Sequence, residues 1–149
     1  MSNCDGMQII IKNQAKDDQG NGIKATIVGL NETRGSLRDL SLNQEIPSDS
    51  EAVGKAYSSG GSNGWAAGEI QVKLVWNSYA EVLTLKYEGE KQAFGRECLP
   101  HPEGATATYF IATVSAKAGD HEKCTQTFLI ESLIQAKAYE AKQKETAGA

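Results

Sequence analysis

Glu69-Ile70-Gln71-Val72-Lys73-Leu74-Val75-Trp76-Asn77 alternates in character residue by residue. Ile70, Val72, Leu74 and Trp76 share one face, and Glu69, Gln71, Lys73 and Val75 share the other. A period of two sustained this long predicts a strand with one buried and one wet face, and it places Trp76 in the core. Asn77-Ser78-Tyr79-Ala80 is a hairpin-sized gap, after which residues 81–88 alternate again through Leu83, Leu85 and Tyr87. The pair reads as an antiparallel hairpin in a sheet that water reaches on one side.

Further strands extend outward from this hairpin. Met7-Gln8-Ile9-Ile10-Ile11-Lys12 is short, apolar and β-branched, and residues 23–30 carry Ile23, Ala25 and Ile27 on one face. Between them, Lys16 to Gly22 is a turn, because its acids are adjacent rather than alternating as a calcium loop requires. Residues 31–50 are polar, with weak apolar marks at Leu37, Leu40 and Leu42, and read as loop with one or two short strands. Residues 52–58 form a strand that runs into Ser58-Ser59-Gly60-Gly61-Ser62-Asn63-Gly64, the strongest turn signal in the chain. Residues 106–117 and 124–131 are the last strands expected, separated by a turn at Gly119-Asp120.

The period then changes. Ile130, Leu133, Ile134, Ala138 and Ala141 recur at helical spacing, predicting a helix over 132–145 that covers an edge or face of the sheet, with 146–149 as a polar tail. The expected fold is mainly β, a single domain over 1–149: an antiparallel β-sandwich with a C-terminal α-helix.

A chain of 149 residues can bury a core of its own. Its net charge of −4 argues against a general nucleic-acid binder, which carries a basic domain or stripe. Met1 to Gly6 is polar and acidic and lacks the pattern of a secretory signal peptide. No apolar run approaches the roughly 18 residues of a spanning helix. The expectation is a soluble protein, cytoplasmic until release and then extracellular at a target membrane.

Catalytic constellations are absent from the string. It holds no Gly-x-Ser-x-Gly elbow, no His-Glu-x-x-His and no phosphate-loop Lys-Ser/Thr, and only two histidines could serve as a base. Both histidines stand three residues from a cysteine, Cys98 before His101 and His121 before Cys124. The ligand types suit zinc. However, the strand between the two halves, a dozen extended residues, spans about 40 Å and would hold them at opposite ends of the sheet. The same span separates Cys98 from Cys124, and the three cysteines read as free thiols. No enzyme, metal or cofactor is therefore expected.

Aromatic residues beside loops are the remaining candidates. Trp65 follows the glycine-rich turn, Tyr57 precedes it, and Tyr79 sits at the expected hairpin tip. A ring with one apolar side and one hydrogen-bonding tip suits a lipid headgroup interface or a sugar face. The alternative for Trp65 is that it folds back over the sheet edge.

The stretch from Tyr57 through Trp65-Ala66-Ala67-Gly68-Glu69-Ile70-Gln71-Val72, its hairpin partner Glu81-Val82-Leu83-Thr84-Leu85-Lys86-Tyr87, and the opening strand Gln8-Ile9-Ile10-Ile11-Lys12-Asn13 together resemble the aegerolysins. The resemblance covers residues 7–88 and is one of pattern: an early Ile-x-Ile-x-Asn strand, a polar middle, and a Ser/Asn-Gly loop before a Gly-x-Ile/Val strand. The tryptophan-rich stretch that fungal members carry after the hairpin has no counterpart in residues 88–96. The resemblance implies a non-enzymatic β-sandwich that binds membrane lipid headgroups, as a cytolysin or as the small component of a two-component, pore-forming and in some cases insecticidal toxin. It also implies action alongside a larger partner protein, and it is compatible with a homo-oligomer. On this reading Trp65, Tyr57 and Tyr79 are the lipid-contacting residues. A carbohydrate-binding or self-assembling β-sandwich module is the alternative, since such folds host both.

Overall fold

The alternation around Trp76 is realised in the two longest strands of a computed structural model that describes residues 3–58, 65–91 and 97–134. In chain order the strands are β1 (Met7–Asn13), β2 (Ala25–Arg34), β3 (Ser36–Arg38), β4 (Glu45–Ile46), β5 (Ser50–Tyr57) and β6 (Ala66–Trp76). They continue with β7 (Tyr79–Lys91), β8 (Cys98–Pro100), β9 (Ala105–Thr106), β10 (Phe110–Lys117) and β11 (Thr125–Ser132), with a 3-10 turn at His121–Lys123 before the last. Two sheets result, ordered β3-β5-β1-β11-β10-β9 and β4-β2-β6-β7-β8. The fold is mainly β and mostly antiparallel, as expected.

One pairing departs from the antiparallel expectation. β1 lies in the middle of its sheet, antiparallel to β5 and parallel to β11, with Ile9 beside Gln126 and Ile11 beside Phe128. Parallel neighbours need a long crossover, and here nearly the whole chain is that crossover, which no local pattern can announce. β11 also runs one residue further than expected, because Gln126, Phe128, Ile130 and Ser132 all point inward on a continued period of two. Ile130 therefore belongs to the strand and not to a helical stripe. The helix expected over 132–145, beyond its first residues, and the tail 146–149 lie outside the described residues.

Both sheets contribute to a common core. Met7, Ile9 and Ile11 from one sheet and Ile70, Val72, Leu74, Leu83 and Leu85 from the other are all buried in it. Two buried amides cross from sheet to sheet. Asn13 donates to the carbonyls of Ile23 and Ile46, both at 2.8 Å, while its oxygen accepts the Ala15 N–H at 3.0 Å. At the other end Gln126 donates to the Glu88 carbonyl at 2.6 Å and accepts the Glu88 N–H at 3.2 Å. Among buried amides, such full satisfaction is what avoids a desolvation penalty.

The cysteines correct the expectation of three free thiols. Cys4 and Cys98 form a disulfide across a sequence separation of 94, and only Cys124 is free, buried beside them with its thiol 3.4 Å from the Cys98 carbonyl. The expected span does not hold Cys98 and Cys124 apart, because residues 98–105 run back along β7 before β10 returns, so Cys98 pairs with Gly119 in an isolated bridge. Outward and return paths cancel. Among the described residues no helix is long and apolar enough to cross a membrane.

Candidate functional site

At the hairpin end, β6 and β7 join through Asn77 and Ser78, with Asn77 at φ 56°, a left-handed conformation that asparagine tolerates. Tyr79, first residue of β7, is 60% exposed and its ring lies 5.5 Å from that of Tyr109. Tyr109 in turn meets the edge of Trp76 at 5.1 Å, and Trp76 reaches Phe110 at 6.5 Å. The four rings run from solvent into the core. Glu81 fixes this arrangement, its carboxylate accepting the Tyr109 N–H at 3.0 and 3.1 Å.

On the outer face of the same hairpin, Val75 is 52% and Val82 49% exposed. Val75 stands opposite Ala80, and Val82 opposite Lys73. Beside them is a groove of about 700 Å³, lined among others by Lys24, Thr26, Val28, Lys73 and Asn77. Lys24 makes an exposed ion pair with Glu45 at 3.0 Å. Asp17, also on its rim, keeps its charge turned into its own loop: the N–H groups of Gln19 and Asn21 donate to it, and hydrogen bonding from the Asn21 backbone holds its pKa below the usual value.

Trp65 and Tyr57 lie at the opposite end. Eleven residues of β6 separate Trp65 from the hairpin, a distance of about 35 Å at ~3.3 Å per residue. The structure thus brings two of the three sequence candidates into one region and leaves Tyr79 in another. Both members of the pair carry an arginine: Arg34 sits 5.4 Å from the Trp65 ring centroid and Arg38 4.2 Å from that of Tyr57. The arginines flank Gly35, which turns the chain from one sheet to the other at φ 74° and approaches the Tyr57 carbonyl so closely that a Cβ would overlap it. The glycine-rich stretch Gly60 to Gly64 lies outside the described residues.

The two histidines serve local contacts. The His101 ring meets Glu90 at 2.9 Å, and the His121 ring meets the Asp5 carbonyl at 3.0 Å. Among the described residues, no three of His, Cys, Asp and Glu converge as metal ligands would. Two buried groups at this end are strongly perturbed. Burial, helped by the charge of Glu32, pushes the Tyr87 phenol up to about 12, and burial pushes the Cys124 thiol up to about 11.

Sequence reasoning passed over Val75, Val82, Arg34 and Arg38. The valines left a signal, since both fall on the wet side of an alternating strand. The arginines left none, because their partners are set by where β2 crosses between sheets. No protein-family model matches the chain, and no curated protein matches it.

Proposed function

We propose that this chain is a non-enzymatic membrane-lipid-binding domain, an aegerolysin-like cytolysin or small component of a two-component pore-forming toxin, and that its β6–β7 hairpin end meets the bilayer. One observation carries the reading: at that end Tyr79 stands exposed on the side of the hairpin that carries Trp76, and Val75 and Val82 stand exposed on its outer face, with Lys24 and Lys73 beside the valines. Single exposed apolar residues are ordinary, but exposed apolar side chains on both faces of one hairpin end, rimmed by polar residues, mark an interaction surface. Valines can enter the headgroup boundary, a tyrosine keeps its hydroxyl wet there, and lysines extend their ammonium groups to the phosphate level.

The aegerolysin resemblance supports the functional class, and the apolar spacing of Leu133, Ile134, Ala138 and Ala141 supports a terminal helix completing a β-sandwich. The Cys4–Cys98 disulfide supports action in an oxidising, extracellular setting.

Vesicle flotation tests the reading, with bilayers rich in sphingolipid, sterol or anionic lipid. Wild-type protein should float with at least one class. The triple variant Val75→Ser, Tyr79→Ser, Val82→Ser should lose most of that binding at an unchanged Tm, whereas Trp65→Ala should keep it. Failure of the wild-type chain to bind any of the three classes would overturn the proposal. Loss in Trp65→Ala alone would move the contact to the other end.

A further inference from the structure

We infer that the end bearing Trp65 and Tyr57 is a docking surface for an acidic segment of a protein partner, with Arg38, Lys55 and Arg34 as its cationic contacts. The starting observation is a conflict in the sheet. β3 and β5 pair so that Arg38 stands directly opposite Lys55. Like charges facing each other across a ladder repel. No ion pair among the described residues relieves this: Arg34, Arg38 and Lys55 take part in none of those there. Yet the chain as a whole is acidic, with 19 Asp and Glu against 15 Lys and Arg. Cations that form no close ion pair among the described residues of an acid-rich protein are open to a carboxylate from outside.

The geometry selects the chemistry of the partner. Arg34 and Arg38 lie against the faces of Trp65 and Tyr57, so both guanidiniums are held by ring contacts. A guanidinium so held presents its fork of N–H donors in a fixed plane, which matches a planar carboxylate in bidentate fashion. Trp, Tyr and Arg are also the residues that dominate binding energy at protein interfaces, because they supply large area with little flexibility lost. A cleft of about 330 Å³ adjoins Lys55 and Tyr57. Its acids are Asp5 and Glu122, and the Asp5 carboxylate accepts the Ser58 N–H at 2.7 Å and the Ser58 hydroxyl at 2.9 Å. That contact ties Asp5 to the residue that follows β5.

This surface is independent of the membrane contact proposed above, which uses the other end. Its test is Lys55→Glu. Replacing one member of a repelling pair by an acid sets a carboxylate opposite Arg38, so Tm should rise by about 1–3 °C. The same change should weaken binding of a hexaglutamate peptide, followed by Trp65 fluorescence at low salt, at least tenfold. Arg38→Gln should weaken the peptide comparably. A purely structural role would not raise stability and lower binding together. A fall in Tm would overturn the repulsion premise, and unchanged peptide binding would overturn the docking site. Phosphatidylserine vesicles form the contrasting arm: binding to them that Lys55→Glu abolishes, with none to the peptide, would assign the surface to a membrane and refute a protein partner.

Discussion

The two ends of the molecule solve the same packing problem and then diverge. Each locks one sheet to the other with a buried amide, Asn13 near the hairpin and Gln126 near the disulfide. Beyond that, the hairpin end has rings stacked outward and valines left in water, while the opposite end has a covalent bridge, a buried thiol and a buried phenol. The contrast teaches where stability is held and where surface is free to serve recognition. Substitutions of the exposed hairpin valines should alter binding and spare the fold; those of the buried disulfide should do the reverse.

The largest expected effect breaks the bridged end. Cross-linking residues 94 apart removes much of the freedom of the unfolded chain, worth about 4–5 kcal/mol in the loop-entropy account. Cys98→Ser, or reductant added to wild-type protein, should lower the unfolding free energy by that order in urea titrations, with no change attributable to the hairpin.

The amides come next. Asn13→Ala strands the Ile23 and Ile46 carbonyls in the core and should lose about 2–4 kcal/mol. Gln126→Ala should lose somewhat less, since the disulfide still holds its end together. Equal losses would show that the bridge adds nothing to sheet-to-sheet docking.

Alkaline titration sharpens the comparison further. The Cys124 thiol rises from 9.0 to about 11 in the folded chain, and the Tyr87 phenol from 10.0 to about 12. The unfolded chain therefore sheds these protons first. Stability from both groups is complete below pH 9 and is lost progressively as the pH climbs from 9 to 12. Cys124→Ala should shift the start of that decline upward in thermal melts taken across the range. The smallest effect belongs to the hairpin surface, where Val75→Ser and Val82→Ser should each change stability by less than about 0.5 kcal/mol.

Much of the fold was legible wherever a strand has one wet face. β6 and β7 declared themselves through strict alternation, and Trp76 went to the core as its side of the strand required. Even the exposed valines could be read, as apolar residues out of place on the polar side. Legibility failed wherever a partner lies far away in sequence. Cys4 finds Cys98 only because β8 doubles back along β7, and Arg38 faces Lys55 only because β2 passes from one sheet to the other at Gly35.

Local alternation and turn chemistry, then, decided that this chain is built from strands and which of their faces meet water. Those preferences act between neighbours and are written residue by residue. Three things belong to tertiary structure alone: the parallel seating of β1 against β11, the disulfide, and the separation of Tyr79 from Trp65 and Tyr57. Each is a matter of which distant segments the closing of two sheets brings together. Side-chain periodicity carries no information about that.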